Sequence, residues 1–397
     1  MDDADGGLAG GVTEPEHRLA RALNATGLAI LGAAVERDGS GAVSPLSIGL
    51  ALGMARAGAT GPVATALDRL LPVPLDEAAR LRAFAALTAR IASDPASAAE
   101  EDPHWAPPSP TVVIANRLVT DLGFEPLPAY VADVARWFDG SVASVPLHSD
   151  GPAAADRING WIEDVTRGLL RTVVEAPFPD DLVAMIVNAV YLKARWSHPF
   201  DRHQTSDAAF TLLDGTRVAA PTMHGWADGR FGRLDGLTAG SLDYEGDSLE
   251  MVILLPDEGH FDAVAGALST DVLDSVDAAL ASAALDVTLP QFTTETRVEL
   301  ADVIEHELGI TGLFGVTGLD RIGPELALGE ILHATRVTVD EEGTEAAAAT
   351  IVAIALTGLP LEPPVRHSLH VDRPFLYLIR DRATGAILFA GRVTDPR

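Results

Sequence analysis

The nearest thing to a reactive pair among the 11 histidines of this 397-residue chain is His203, close to Asp201. An imidazole near one exposed acid reads as solvated surface more readily than as a metal or proton-transfer site. No other spacing in the sequence has a reactive form. There is no GxSxG elbow to present a nucleophilic serine and no GxxxxGK[ST] loop to cradle phosphates. HExxH for zinc and a GxGxxG turn for dinucleotides are absent too. With no cysteine, thiol chemistry and disulfides are excluded. A Ser-His-Asp triad is defined by geometry, so residue order is silent on it. The chain does not read as an enzyme, and no metal or cofactor is implied.

The unusual chemistry lies instead in EEGTEAAAATIVAIALTG, Glu341 to Gly358. It opens on acid, passes a glycine, runs through four alanines and turns β-branched and apolar, with no Pro, Lys or Arg. Its side chains are too small for a core helix and too apolar for a comfortable loop. A plain apolar helix over Ala346–Leu356 is one reading. The other leaves the stretch undecided between helix, loop and strand.

The elements around it change character along the chain. Leu19, Leu23, Leu28 and Ile30 fall on one stripe and predict a helix over Arg18–Glu36. Ser44-Pro45 starts a second helix, since Ser caps and Pro suits the first turn; Gly58 ends it. Val63–Leu71, Ala129–Phe138, Ala154–Glu175 and Arg297–Leu308 also read as helices. TVVIANRLVT from Thr111 and the apolar run Leu182–Leu192 read as buried strands. After Phe200 come short strands at Phe210–Leu212, Ser248–Leu255 and Leu285–Leu289. Four more follow at Arg336–Val339, Leu369–Val371, Phe375–Arg380 and Ala386–Val393. Helices early and antiparallel-looking strands late predict an α+β fold with a large sheet. No linker divides 15–397, so one domain is expected, preceded by a flexible acidic tail over 1–14.

A formal charge of −29 argues against nucleic acid, heparin-like polyanions and anionic membranes as partners. The runs Leu182–Val187 and Ala346–Leu356 are too short to span a bilayer. Residues 1–14 lack the apolar core of a signal peptide, which leaves the compartment open. Lys193 is the sole lysine; the arginine bias suggests a GC-rich, bacterial genome.

At this point the sequence resembles the serpin family over nearly its whole length. The matching pieces stand in family order: SPLSIGLALGMARAGATG (44–61), ANRLV (115–119), INGWIEDVTRG (158–168), VNAVYLKARWSHPF (187–200), LPQF (289–292), VDEEGTEAAAAT (339–350) and RPFLYLIRD…GAILFAGRVTDP (373–396). The resemblance implies three β-sheets, about nine helices and an exposed reactive loop over about 341–368. It implies a monomeric suicide inhibitor of serine proteases. The loop is cleaved as bait, forms a covalent acyl complex and then enters the central sheet as a strand. The alternative within the family is a non-inhibitory chaperone, carrier or storage protein.

The same resemblance implies the site residues. The hinge comprises Glu341, Gly343, Thr344, Glu345, Ala346, Ala347, Ala348, Ala349 and Thr350. Once inserted, Thr344, Ala346, Ala348, Thr350, Val352 and Ile354 would share one face, small first and larger later. Family spacing puts the scissile bond at Thr357-Gly358, or at Leu356-Thr357 one residue earlier. Neither offers a basic residue, so the target class is elastase-, chymotrypsin- or subtilisin-like. From Gly343 the strand would carry an attached protease roughly 50 Å at ~3.3 Å per residue. The segment LPLEPPVRHS (359–368) is longer and richer in proline than the common family pattern. A polar cluster where strands must part, the shutter, maps to Ser44, Ser47, Asn188 and His333. The point of entry, the breach, maps to Trp196, Glu341 and Gln291. Many relatives place a lysine at the Gln291 position, so the expected salt bridge to Glu341 is missing.

Overall fold

In the computed structural model of the chain, residues 11–92, 110–180, 182–329, 331–344 and 366–397 are described. Among them are nine helices: α1 (Glu14–Ala34), α2 (Pro45–Gly58), α3 (Gly61–Leu70), α4 (Glu77–Ile91), α5 (Pro128–Phe138), α6 (Gly151–Val165), α7 (Phe261–Ala267), α8 (Thr270–Ala279) and α9 (Leu300–Asp302). Residues 1–10 of the expected tail lie outside the described residues. Thr13 caps α1: its backbone donates to Glu16 Oε2 at 2.8 Å, and its hydroxyl accepts from the Glu16 amide. That capping box satisfies two orphan donors and starts the helix at Glu14.

One sheet has six strands in the order β10 (Phe292–Glu299), β11 (Leu332–Val339), β12 (Gly343–Thr344), β4 (Ala184–Arg195), β2 (Thr111–Asp121) and β3 (Gly140–Val145). The other follows the path β1 (Gly41–Val43), β15 (Ile387–Val393), β14 (Phe375–Asp381), β8 (Leu249–Pro256), β7 (Leu237–Asp243), β6 (Arg217–Leu234), β9 (Ala281–Pro290) and β13 (Arg366–His370). β5 (Ser206–Thr211) pairs with β6 off that path. β6 is 18 residues long and pairs with β5 and β9 over its first part and with β7 over its end. It therefore joins, in one hydrogen-bonded path, the second and third sheets that the resemblance implies.

Two elements differ from expectation. The helix read over Arg297–Leu308 begins only at Leu300, because Arg297–Glu299 complete β10 opposite Leu332–Ala334. The helix read over Ala154–Glu175 ends at Val165. There the Thr166 hydroxyl takes the Ile162 carbonyl at 2.7 Å, and Arg167 and Gly168 turn left-handed.

The main core fills the space between the sheets and buries α2 on nearly every side, against β4 and β15. α1 can approach α2 this closely because a Cβ on Gly27 would lie 2.3 Å from Pro45. A smaller apolar cluster lies under α6 on the other face of the six-stranded sheet, around Val119, Ile158, Ile162 and Val187.

Candidate functional site

The segment expected to serve as the hinge leaves β11 through a tight turn. The Asp340 amide donates to the Gly343 carbonyl at 3.0 Å. The Asp340 carboxylate accepts from the Glu342 and Gly343 amides at 2.9 and 3.2 Å. Burial pushes this carboxyl above its ordinary value, with Glu341 and Glu342 adding to the rise. Gly343 adopts φ +154°, where glycine is favoured, and a Cβ there would fall 1.9 Å from the Ala194 carbonyl oxygen. Gly343→Ala is therefore expected to cost about 1–3 kcal/mol by displacing the turn. Urea unfolding followed by tryptophan fluorescence measures it, and an unchanged midpoint would contradict the fit described.

Past the turn, Gly343 and Thr344 form β12, with Thr344 opposite Val339 of β11 and Ala194 of β4. The Thr344 hydroxyl is buried against the Tyr244 hydroxyl at 2.6 Å. Tyr244 stacks on Trp196, ring centroids 4.6 Å apart, and Phe200 meets Trp196 edge-on at 6.5 Å. Trp196 also ties the hinge by its backbone. Its amide donates to the Glu342 carbonyl and its indole Nε1 to the Asp340 carbonyl, each at 2.9 Å.

Glu341 is buried beside these rings, and the Thr205 hydroxyl donates to it at 2.6 Å. Burial alone would raise its carboxyl. Hydrogen bonds from Thr205, its own backbone and Gln291, with the Arg202 charge, outweigh burial and hold it below the usual range. Gln291 thus meets Glu341 as a neutral partner. An unforeseen ion pair stands one residue along, where Arg202 reaches Glu342 at 2.5 Å.

Lower down, all four predicted shutter residues meet at the start of α2. The Ser44 hydroxyl caps the helix by accepting from the Ser47 amide at 3.1 Å. The Ser44 amide donates to His333 Nε2 at 3.0 Å, which fixes the proton of the neutral ring on Nδ1. The Ser47 hydroxyl donates to Asn188 Oδ1 on β4. Asn188 in turn donates to Asn116 on β2, and Asn116 donates to the Phe138 carbonyl at 2.7 Å. Burial drives His333 down to about 4, so it is neutral near pH 7. One helix start thus holds β4 by a side chain and β11 by a backbone amide. Below Thr344, no hydrogen-bonded register joins β4 to β11 among the described residues.

A family profile described as serpin (serine protease inhibitor) matches residues 21–396. The chain belongs to the serpin family. An uncharacterized serpin-like protein of Thermococcus kodakarensis is 33% identical over 357 residues, covering 89% of this serpin and 80% of that relative. Tengpin, a thermophilic serpin solved in its native state, superposes with TM-score 0.81 at 21% identity, over 97% of this chain and 95% of its own. Thyroxine-binding globulin complexed with thyroxine gives TM-score 0.78 at 23% identity, over 96% and 99%.

Within this serpin, the structure brings Ser44, Ser47, Asn188 and His333 together, and separately Trp196, Glu341, Gln291, Gly343 and Thr344. Of the hinge, Glu345, Ala346, Ala347, Ala348, Ala349 and Thr350 lie outside the described residues, as do Leu356, Thr357 and Gly358. His203 belongs to neither group: its amide donates to Asp201 at 2.9 Å in an exposed turn. Asn116, Tyr244, Thr205 and Asp340 were not foreseen. Asn116 left one signal, an amide in the middle of the β-branched strand TVVIANRLVT.

Proposed function

We propose that this serpin inhibits serine proteases as a suicide substrate. The observation that supports the reading best is the position of β12, a first rung already placed between β11 and β4. Continuing its register brings Thr350 opposite both Asn188 and His333, and Ile354 opposite Ala184 at the far end of β4. Thr344 and Ala194 point into the core. By the two-residue repeat of a strand, Ala346, Ala348 and Thr350 would point there too, while Glu345, Ala347 and Ala349 would face solvent.

The chemistry is that of the attacking protease. Its serine Oγ adds to the Thr357 carbonyl carbon, the bond to the Gly358 nitrogen breaks, and that amine leaves protonated by the protease histidine. The loop remains esterified to the serine. Water then hydrolyses the ester unless insertion first carries the protease away and distorts its active site. Threonine or leucine as bait suits elastase-, chymotrypsin- or subtilisin-like pockets. The shared fold of thyroxine-binding globulin favours a non-inhibitory carrier as the second reading.

The test mixes the protein with elastase, chymotrypsin, subtilisin and trypsin and resolves the products on denaturing gels. A covalent complex, with a released peptide beginning at Gly358, is expected. Clean cleavage, with neither complex nor thermal stabilisation, would sink the inhibitory reading. Ala348→Arg and Ala347→Arg add a sharper contrast. The first must bury a guanidinium on insertion and should lower complex yield about tenfold or more; the second should leave it near wild type. Equal behaviour of the two variants would contradict the register.

A further inference from the structure

The outer face of the six-stranded sheet carries a cleft the inhibitory reading does not use. Val339 and Ala194 point into the core, so Arg336 on β11 and Lys193 on β4 point outward. The loop after α6 adds Arg167 and Arg171, and together they line a cleft of about 880 Å³ whose acids are Glu295 and Asp340. Four cations in one cleft stand out in a chain of 28 basic and 57 acidic residues.

The local charges are also poorly neutralised. Lys193, the sole lysine, has no carboxylate within ion-pair distance among the described residues. Arg336 meets Glu295 only at 3.6 Å, and Arg171 meets Glu163 only at 3.5 Å, both pairs being exposed. The Asp340 carboxylate is committed to the hinge amides. Arg167 is held in the left-handed region at φ +50°, where the Gly168 amide closes the helix end onto the Glu163 carbonyl at 2.8 Å. Glycine is the residue that fits that position without strain. Arginine there places its guanidinium over the Tyr191 ring, 5.4 Å from the centroid. Backbone strain kept at a charged cleft is the pattern of a ligand clamp.

We propose that this cleft binds a compact multivalent oxyanion of the pyrophosphate or tricarboxylate class. Lys193 and Arg336 stand on strands that are not hydrogen-bonded to each other, so a single-charge ion would serve one and a multivalent ion both. A long polyanion would meet the surrounding −29 surface and is disfavoured. Bound there, the anion ties β4 to β11 across the place where a strand would enter. Its effect on inhibition rests on the inhibitory reading; its binding does not.

Calorimetric titration of the full chain with sodium pyrophosphate at low ionic strength tests the site. Wild type should bind stoichiometrically, with a thermal unfolding midpoint that rises with pyrophosphate. Lys193→Gln and Arg336→Gln should each weaken binding about tenfold or more, as expected on removing one charge-assisted bond. Arg18→Gln, in an exposed pair on α1, should leave it unchanged. No saturable binding up to millimolar pyrophosphate, or equal weakening in all three variants, would overturn the site. If the site binds but no protease is trapped, the inhibitory reading fails and the anion site stands.

Discussion

Glu250→Ala is expected to cost about 3–5 kcal/mol, the largest loss from any single side chain named here. Glu250 is almost fully buried on β8, between two guanidiniums. Arg380 donates to it from Nε at 2.9 Å and Arg230 from Nη2 at 2.5 Å. Arg380 also donates to Asp277 on α8 at 2.9 Å. Removing Glu250 leaves the buried Arg380 with one acid and Arg230 with a pair stretched to 3.9 Å. An uncompensated charge in a low-dielectric interior is costly because water cannot replace the lost partner. The measurement is the fall in urea midpoint at unchanged slope. Glu14→Ala, which breaks the exposed Arg18–Glu14 pair, is the control and should cost about 0–1 kcal/mol. Equal losses would mean that water reaches the Arg380 pair.

Acidification is expected to remove about 3 kcal/mol as pH falls from 6.5 towards 4, through His333 alone. The sign follows from which state takes up the proton first. Unfolded, the ring has its ordinary value of 6.5; folded, burial holds it to about 4. Between those values the unfolded chain binds the proton and the native chain does not. Stability is therefore complete above about pH 6.5 and declines through that window by about 1.4 kcal/mol per pH unit. Glu341, held below its ordinary value, acts in the same direction at more acid pH. Asp340, pushed up by burial, acts in the opposite direction, since its native carboxyl takes a proton first. His333→Gln keeps an acceptor for the Ser44 amide and cannot titrate. Its urea midpoint should fall less than that of wild type between pH 7 and pH 5. Parallel profiles for the two proteins would refute the role given to His333.

How much of this was legible in the sequence depended on burial. Leu182–Leu192 reads as a strand because the run is apolar and largely buried in β4, with Asn188 its single polar residue. β6 has no counterpart among the strands read from sequence, because its 18 residues include Pro221, Gly225, Gly229 and Gly232, which signal turns locally. There the ladders to β9 and β7 override propensity, including a close approach to β7 in which a Gly229 Cβ would meet the Ser241 carbonyl oxygen at 2.0 Å. Arg297–Glu299 suits helix and strand equally by pattern, and pairing with β11 decides. The shutter residues were reached through resemblance, since a buried serine or histidine looks like any other until its partner is known. Asn116 meets Asn188 from β2, and Tyr244 meets Thr344 from just past β7, so no local pattern links either to its partner.

β12 has a kinetic consequence. A zipper is slow to start and fast to run, because the first teeth must find their register without help. Here Gly343 and Thr344 are engaged beforehand, so a cleaved loop following the proposed register would face no alignment search. Its rate would be governed by how readily β4 and β11 let go of the start of α2. Two residues of strand thereby shift the waiting time from the moving part to the stationary one.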